Sequence, residues 1–406
     1  MLRRHSNQRN THSFWGAQVN AELLHELRGR NVSIGGEREA FVPAQLPPTI
    51  EYSEELAALL SQANRSLGWL DGIGELIPNS SLLVMPYIRI EAASSSRIEG
   101  TQTSLEELLI SEAEESSEPE GQAREVVNYV VAMRQGLERL KELPVSNRLV
   151  KEAHATLLTG VRGENATPGD FRRAQVYVGP YTPPPPNLVE PLMAEWELFV
   201  AQPPRDMPVL VQCAVMHYQF EAIHPFLDGN GRIGRFLITL LLCERRLLAQ
   251  PLLYLSAHLE AHRSQYYRCL FEVSDSGDWT GWLRFFLNAV LLQAEQAVTC
   301  CREIVGLREK LRQRISDATR SANALSLLDL LFTNPYATVP RTARRLGVTS
   351  QTARNLFSLL TDLDIVEETA STMGHARLYR AKTLLDAIKR AAQPPSTETS
   401  ASGSAK

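Results

Sequence analysis

Cysteine is scarce and unpatterned in this chain of 406 residues: Cys213, Cys243, Cys269, Cys300 and Cys301 form neither a CxxC pair nor a Cys/His metal spacing. Three of the five lie in apolar, helix-like stretches, which reads as buried free thiols. An odd count without a secretory signal leads us to expect the reducing cytoplasm. Long apolar runs are also missing. The longest, Phe236 to Cys243, is broken by Thr239 and falls far short of the roughly 20 residues of a membrane-spanning helix, so no membrane partner is expected. A strong charge excess is lacking too, because the net charge of -4 gives the whole protein little non-specific attraction to nucleic acid or lipid. The basic opening MLRRHSNQRN has no apolar stretch, and residues 1–20 are expected to be a disordered tail. Residues 391–406, rich in Pro, Ser, Thr and Ala, are expected to be disordered as well.

What is present is a globular composition, 44% hydrophobic and 22% charged, in a chain long enough for two or three domains. Between Ala21 and Ile110 polar loops alternate with helical patterns, as where Leu56, Leu59 and Leu60 follow the spacing of an amphipathic helix. The segment 111–121, with five glutamates plus Ser, Pro and Gly, reads as a solvated loop. Residues 122–312 are mostly helical by pattern, with one β-like stretch from Arg173 to Val178 before a proline-rich run. We therefore expect a mainly α fold: an N-terminal helical region over 21–121, a helical core with a small β-hairpin over 122–312, and a separate unit over 322–390.

The chemistry concentrates in His224-Pro-Phe-Leu-Asp-Gly-Asn-Gly-Arg-Ile-Gly-Arg235. An apolar helix over 209–223 delivers His224 into a loop, and a second helix is expected to start near Gly231. Gly229, Asn230 and Gly231 at a helix N-terminus let backbone N–H groups converge as an anion nest. Arg232 and Arg235 stand three apart, and guanidinium forks suit phosphate oxygens. Asp228 is a hard oxygen ligand placed for Mg²⁺ on phosphates. His224 ordinarily titrates near neutrality and is the natural general base. The plain alternative is a helix-capping loop with incidental arginines; the order of residue types favours a triphosphate site with in-line attack on phosphorus.

This segment resembles the Fic family motif HPFx[DE]GNGRxxR at every specified position. Pro168 to Arg173, Leu253 to Ser256, Arg263 to Tyr267 and Gly277 to Trp282 also look like Fic-core segments. The resemblance implies a helical Fic core and transfer of AMP from ATP, with Mg²⁺, onto a Ser, Thr or Tyr hydroxyl of another protein or of the chain itself. In that reading His224 deprotonates the hydroxyl, Phe226 anchors the loop and Asp228 binds the metal. Gly229, Asn230, Gly231, Arg232 and Arg235 hold the phosphates, and Tyr266 and Tyr267 line the base pocket, unless they are a core tyrosine pair.

A second family pattern, [ST]xxxE[GN], matches Ser95 to Gly100. It implies an inhibitory Glu99 that pairs with Arg235 and a Ser95 that orients Glu99; the plain alternative is a helix end with Gly100 as its cap. The same glutamate can support removal of AMP, so direction stays open. Val176, Tyr177 and Val178 fall where Fic proteins carry a flap that adds a strand from the target. The run Pro183 to Pro186 departs from the family there, and a polyproline ligand is the alternative.

Thr338 to Leu356 reads as helix–turn–helix, followed by a hairpin, and resembles the C-terminal winged helix of some Fic proteins. Residues 321–390 carry nine basic and six acidic side chains, net +3. Gln351, Thr352 and Arg354 are candidates for DNA contact, while protein docking or homodimerisation is the other use of such a unit. A rival to the enzyme is thus a DNA-binding regulator whose Fic core senses nucleotide. Phosphoryl transfer, as in the Doc relatives, is a third reading.

Overall fold

The computed structural model describes residues 28–76, 81–114, 121–161, 163, 166–370 and 377–393. The expected tail at 1–20, most of the one at 391–406, and the loop residues 115–120 lie outside them.

The middle of the molecule is built on two helices without a polar face. α7 (Val209–Ile223) and α8 (Asn230–Glu244) are buried almost throughout, as apolar residues all round a helix require. Around them pack α4 (Gly121–Arg139), α5 (Asn147–Leu157), α6 (Pro186–Ala201), α9 (Ser256–Ala261), α10 (Arg263–Ser276) and the long α11 (Trp279–Ala318). On the N-terminal side, α1 (Glu54–Leu76) lies along α11, and α2 (Ser81–Ile98) packs on α4 and α9. α3 (Leu105–Glu114) follows, so residues 111–114 of the expected acidic loop are helical. Leu105, Leu108, Leu109 and Ala113 give that helix an apolar stripe to bury.

Two β features depart from expectation. An antiparallel hairpin of β1 (Gly29–Ser33) and β2 (Glu39–Pro43) was not anticipated from the loop-like composition. Its signal is Gly35-Gly36 between two short alternating runs, both glycines at positive φ. β2 reaches the expected flap through the Phe41 N–H, which donates to the Thr182 carbonyl at 2.8 Å. The β-like stretch 173–178 is not a strand; only Val178 and Tyr181 form a bridge, with both bonds at 2.9 Å. Side chains take the neighbouring carbonyls, Arg172 those of Ala174 and Pro184 and Gln175 those of Val176 and Pro183. The prolines offer no N–H to a ladder. Nor is Pro183–Pro186 a free polyproline ligand, since Pro183 and Pro184 are buried and Pro186 opens α6.

The C-terminal unit runs α12 (Ala322–Thr333), β3 (Tyr336–Thr338), α13 (Val339–Leu346), α14 (Ser350–Asp362), β4 (Glu367–Thr369), β5 (Leu378–Arg380) and α15 (Lys382–Ala391). Its sheet has the order β3-β5-β4, so the expected hairpin gains a third strand; the tip, 371–376, lies outside the described residues. Residue 391, assigned to the tail, closes α15 with its side chain buried. The unit is packed onto the rest rather than tethered. Arg89 on α2 is nearly enclosed, bonds both oxygens of Glu112 on α3 at 3.0 and 2.6 Å, and donates to the Thr333 carbonyl at 2.7 Å. Asn334 bonds the Leu109 carbonyl at 2.9 Å, and Tyr336 bonds Glu106. Removing Arg89 leaves Glu112 and a carbonyl without their donor. Arg89→Met is therefore expected to cost about 2–4 kcal/mol in urea unfolding; an unchanged midpoint would contradict this joint.

Candidate active site

The site is assembled where α7 ends. His224 caps that helix in a left-handed conformation, φ 52°, with its N–H on the Phe220 carbonyl at 3.0 Å. Arg172 holds the turn from below, donating to the carbonyls of His224 (2.8 Å), Pro184 (2.6 Å) and Ala174 (3.1 Å). One buried guanidinium thus ties the catalytic loop to the flap. Burial lowers its pKa to about 10, leaving it charged at neutral pH. The His224 Nδ1 lies 3.3 Å from the Glu221 carbonyl, an arrangement that puts the proton on Nδ1 and leaves Nε2 as acceptor. Burial, above all, pushes the imidazole down to about 4, so it is neutral at pH 7.

The loop after His224 is pinned by side chains. Asn230 accepts from the Phe226 N–H at 2.8 Å and donates to its carbonyl at 2.9 Å. Phe226 is buried and stacked on His154, ring centroids 3.6 Å apart. His154 accepts the Gly169 N–H on Nδ1 at 2.9 Å and meets the Asp228 carbonyl with Nε2 at 2.9 Å, which fixes its tautomer as Nε2–H. α8 begins at Asn230, one residue earlier than expected, with Gly229 as its left-handed cap at φ 81°. The first-turn N–H groups of Asn230, Gly231 and Arg232 have no carbonyl four residues back in the helix, which makes them available to an anion.

The two arginines, expected as one clamp, face different partners. Arg232 lies 3.4 Å from Glu125 and 3.5 Å from Asp228. Arg235, fully enclosed, donates Nε to Ser95 Oγ at 2.9 Å, and Nη2 to the Ser95 carbonyl at 2.9 Å and to Glu99 Oε1 at 2.7 Å. Ser95 therefore orients Arg235, not Glu99, because the guanidinium reaches both Ser95 acceptors. Burial opposes the charge on Glu99, yet Arg235 beside it holds the carboxyl below the usual range. Glu99 follows the end of α2, and Gly100, φ 94°, turns the chain; helix end and ion pair coexist.

A cavity of about 560 Å³ opens between α10 and the flap bridge, lined by Glu99, Val178–Tyr181, Glu221, His224, Gly231, Arg263, Tyr267 and Phe271. Tyr267 belongs to it with Arg263 over its ring, but Tyr266 does not. Tyr266 is enclosed one position along the helix and bonds His217 at 2.8 Å, so half of the expected base pocket is core. Tyr177 and Val178 are exposed and Val176 half-buried; Arg38 of the β1–β2 turn bonds the Tyr177 hydroxyl at 3.3 Å. Asp228 is half-buried, with Oδ1 on the Gly229 N–H at 2.6 Å. On α14, Gln351 and Arg354 are exposed and bond each other, while Thr352 is drawn into the helix cap by Thr349. Glu368 and Glu367 pair with Arg377 and Arg380, which offsets the basic charge of that face.

Glu221 matches no motif in the sequence, although His217 and Glu221 stand four apart on α7, one turn from each other, with His224 just past the helix end. Burial pushes Glu221 up to about 7, Arg235 attracting and Glu99 repelling its charge. Glu125, His154 and Arg172 were missed for a different reason: their partners are far away in sequence. The pinning of the loop is testable through Asn230→Ala, expected to lower stability by roughly 2 kcal/mol in chemical denaturation; no loss would show that the two Phe226 bonds do not hold it.

Residues 57–138 match the Fic/DOC family N-terminal domain and residues 144–242 match the Fic/DOC family. Protein adenylyltransferase Fic of Drosophila grimshawi is 31% identical over 150 residues, covering 37% of this chain and 29% of that protein. Its Culex quinquefasciatus counterpart is 37% identical over 121 residues, covering 30% and 23%. The chain thus spans under a third of the length of these relatives. Among solved structures, a Fic family protein from Desulfovibrio desulfuricans superposes with a TM-score of 0.51 at 23% identity, over 82% of this chain and 98% of that one. Fic-1 (residues 134–508) from C. elegans gives 0.50 at 20% identity, over 61% and 74%. Both likenesses concern the fold. Residues 57–138 and 144–242 thus carry two consecutive domains of the Fic/DOC type, an N-terminal domain followed by a Fic domain.

Proposed function

We propose that this protein transfers AMP from ATP to a Ser, Thr or Tyr hydroxyl, on another protein or on itself, and that Glu99 holds it in a resting state. One observation carries the reading: a neutral His224, with Nδ1 turned back on the Glu221 carbonyl, lines the same cavity as Gly231 of the anion nest and Glu99 on Arg235. The relatives named protein adenylyltransferase support it. In the reaction the target hydroxyl oxygen attacks the α-phosphorus, its proton passes to His224 Nε2, and the bond to the β-phosphate oxygen breaks to release pyrophosphate. Arg235, once parted from Glu99, takes the γ-phosphate, Arg232 the β-phosphate region, and the first-turn N–H groups of α8 the charge that develops. With Glu99 in place, the γ-phosphate has no cation and the α-phosphate is not set in line.

Asp228 suits Mg²⁺: it is a half-buried carboxylate at the edge of the nest, and Mg²⁺ is commonly held by one carboxylate plus substrate phosphates. When bound, Mg²⁺ supplies charge neutralisation on the polyphosphate. Val176, Tyr177 and Val178 would align the target, since Val178 lines the cavity and its neighbour Tyr177 is exposed beside it. The five free thiols fit a cytoplasmic setting.

Incubation with Mg²⁺ and ATP labelled on the α-phosphate tests the reading. Glu99→Gly is expected to raise protein-bound label roughly tenfold or more over wild type, and Glu99→Gly/His224→Ala to carry about 100-fold less label than Glu99→Gly. Label retained from the γ-phosphate instead would mean phosphoryl transfer. Equal absence in all forms, with salt-sensitive retention on DNA, would favour the regulator.

A further inference from the structure

Two glycines three apart on α8 leave bare Cα positions, and one receives a carboxyl from the turn after α2 and the other from α7. A Cβ on Gly231 would lie 2.3 Å from Glu99 Oε1, and a Cβ on Gly234 would lie 2.2 Å from Glu221 Oε1. Arg235 follows Gly234 in sequence, and of the two carboxyls only Glu99 bonds it. Among the described residues, Glu221 Oε1 and Arg235 Nη1 are both enclosed without a hydrogen-bond partner. Glu221 also lines the cavity together with Glu99 and His224. The cluster thus holds two carboxyls and one guanidinium, with one site on that guanidinium unused.

We propose that Glu221 is a positioning residue for Arg235, pairing with the guanidinium when no other anion holds it, and that nucleotide binding displaces Glu221 from that pair and leaves it protonated. This inference rests on the nucleotide-binding reading above. Arg235 is buried and needs a counter-anion at all times. In the resting state Glu99 supplies it, and Glu221, a second acid beside an already neutralised pair, keeps its proton. When Glu99 withdraws, Glu221 takes its place and ionises against Arg235, because Glu91, the other buried carboxyl that Arg235 attracts, is held by Ser256 and Tyr129. When the terminal phosphates arrive, they take Arg235, and an ionised Glu221 would face them unpaired, so it takes up one proton from solvent.

The other groups around Glu221 do not titrate near neutrality. Arg235 from α8 stays charged. Glu99 from α2 is held below the usual carboxylate range, and burial first of all raises Tyr266 and Tyr267 of α10. On its own helix, burial pushes His217 down to about 3 and His224 to about 4. Glu221, at about 7 with Glu99 closed, is left as the group that exchanges a proton. With Glu99 gone its repulsion is removed and the free-state value falls; bound phosphate raises it again. The sign follows: a bound-state value above the free-state value means binding is strongest at low pH and weakens as pH rises toward the bound-state value.

The test is calorimetry of α,β-methylene-ATP with Mg²⁺ on the full chain carrying Glu99→Gly, in buffers of different ionisation enthalpy. Between about pH 6 and pH 8 this form is expected to take up a proton on binding and to weaken in affinity about three- to tenfold. Adding Glu221→Gln should remove both effects beyond what the ligand's own terminal phosphate contributes over this range. Gly234→Ala, whose methyl would occupy the Oε1 position, should remove the uptake with Glu221 still present. A melting curve for each form identifies variants that fail to fold. Binding with the same proton count and pH dependence in Glu99→Gly and Glu99→Gly/Glu221→Gln overturns this inference alone. No nucleotide binding by a folded Glu99→Gly chain overturns the nucleotide reading and this one with it.

Discussion

A guanidinium sealed inside a protein must be matched by an anion, and the placement of Arg235 makes that requirement the organising constraint of this site. Its side chain is 1% exposed and takes hydrogen-bond acceptors from Ser95 and Glu99, contributed by α2 and the turn after it. Desolvating an arginine costs several kcal/mol unless its charge is paired. Glu99 therefore cannot leave without a replacement. Nucleotide phosphates are a replacement of the right charge, so in the proposed function one contact holds the resting state and still yields to substrate.

The rest of the molecule fixes the two sides of that contact. On one side, α8 is rigid because it is buried nearly all round and its first turn is pinned by Asn230 on Phe226 and by His154 on Phe226 and Asp228. On the other, α2 carries a series of polar side chains through an apolar environment. Arg89 bonds α3 and the end of α12, Glu91 caps α9 through the Ser256 N–H at 3.1 Å, and Ser95 takes Arg235. The helix that leads to Glu99 is thus clamped along its length, and only the Glu99 end, past the last turn, borders the cavity. Motion that frees Arg235 needs only that end to move.

Local signals were legible in the sequence. The order of residue types from His224 to Arg235 points to a helix end, a glycine-rich loop and a second helix start, and the turn between α13 and α14 is visible from Ala343, Gly347 and Val348. Glu99 opposite Arg235 was readable only through a resemblance, because nothing in the composition of Ser95 to Gly100 points to a residue 136 positions away. Long-range partnership is where sequence reading failed. Ser95 was assigned to Glu99, its neighbour one turn away, when a guanidinium from α8 occupies it. Tyr266 and Tyr267 look alike in sequence, but adjacent helical residues point about 100° apart, and only one of them reaches the cavity. The flap failed as a strand because Arg172 and Gln175 claim its carbonyls.

The central claim is that Glu99 and the nucleotide compete for the same guanidinium. A double-mutant cycle on ATP·Mg²⁺ affinity, using Glu99→Gly and Arg235→Leu, measures that competition directly. The account predicts that Glu99→Gly tightens binding by about tenfold or more when Arg235 is present and has little effect when Arg235→Leu is already made. An equal gain from Glu99→Gly in both backgrounds would contradict it, because Glu99 would then be excluding nucleotide by some route that does not pass through Arg235.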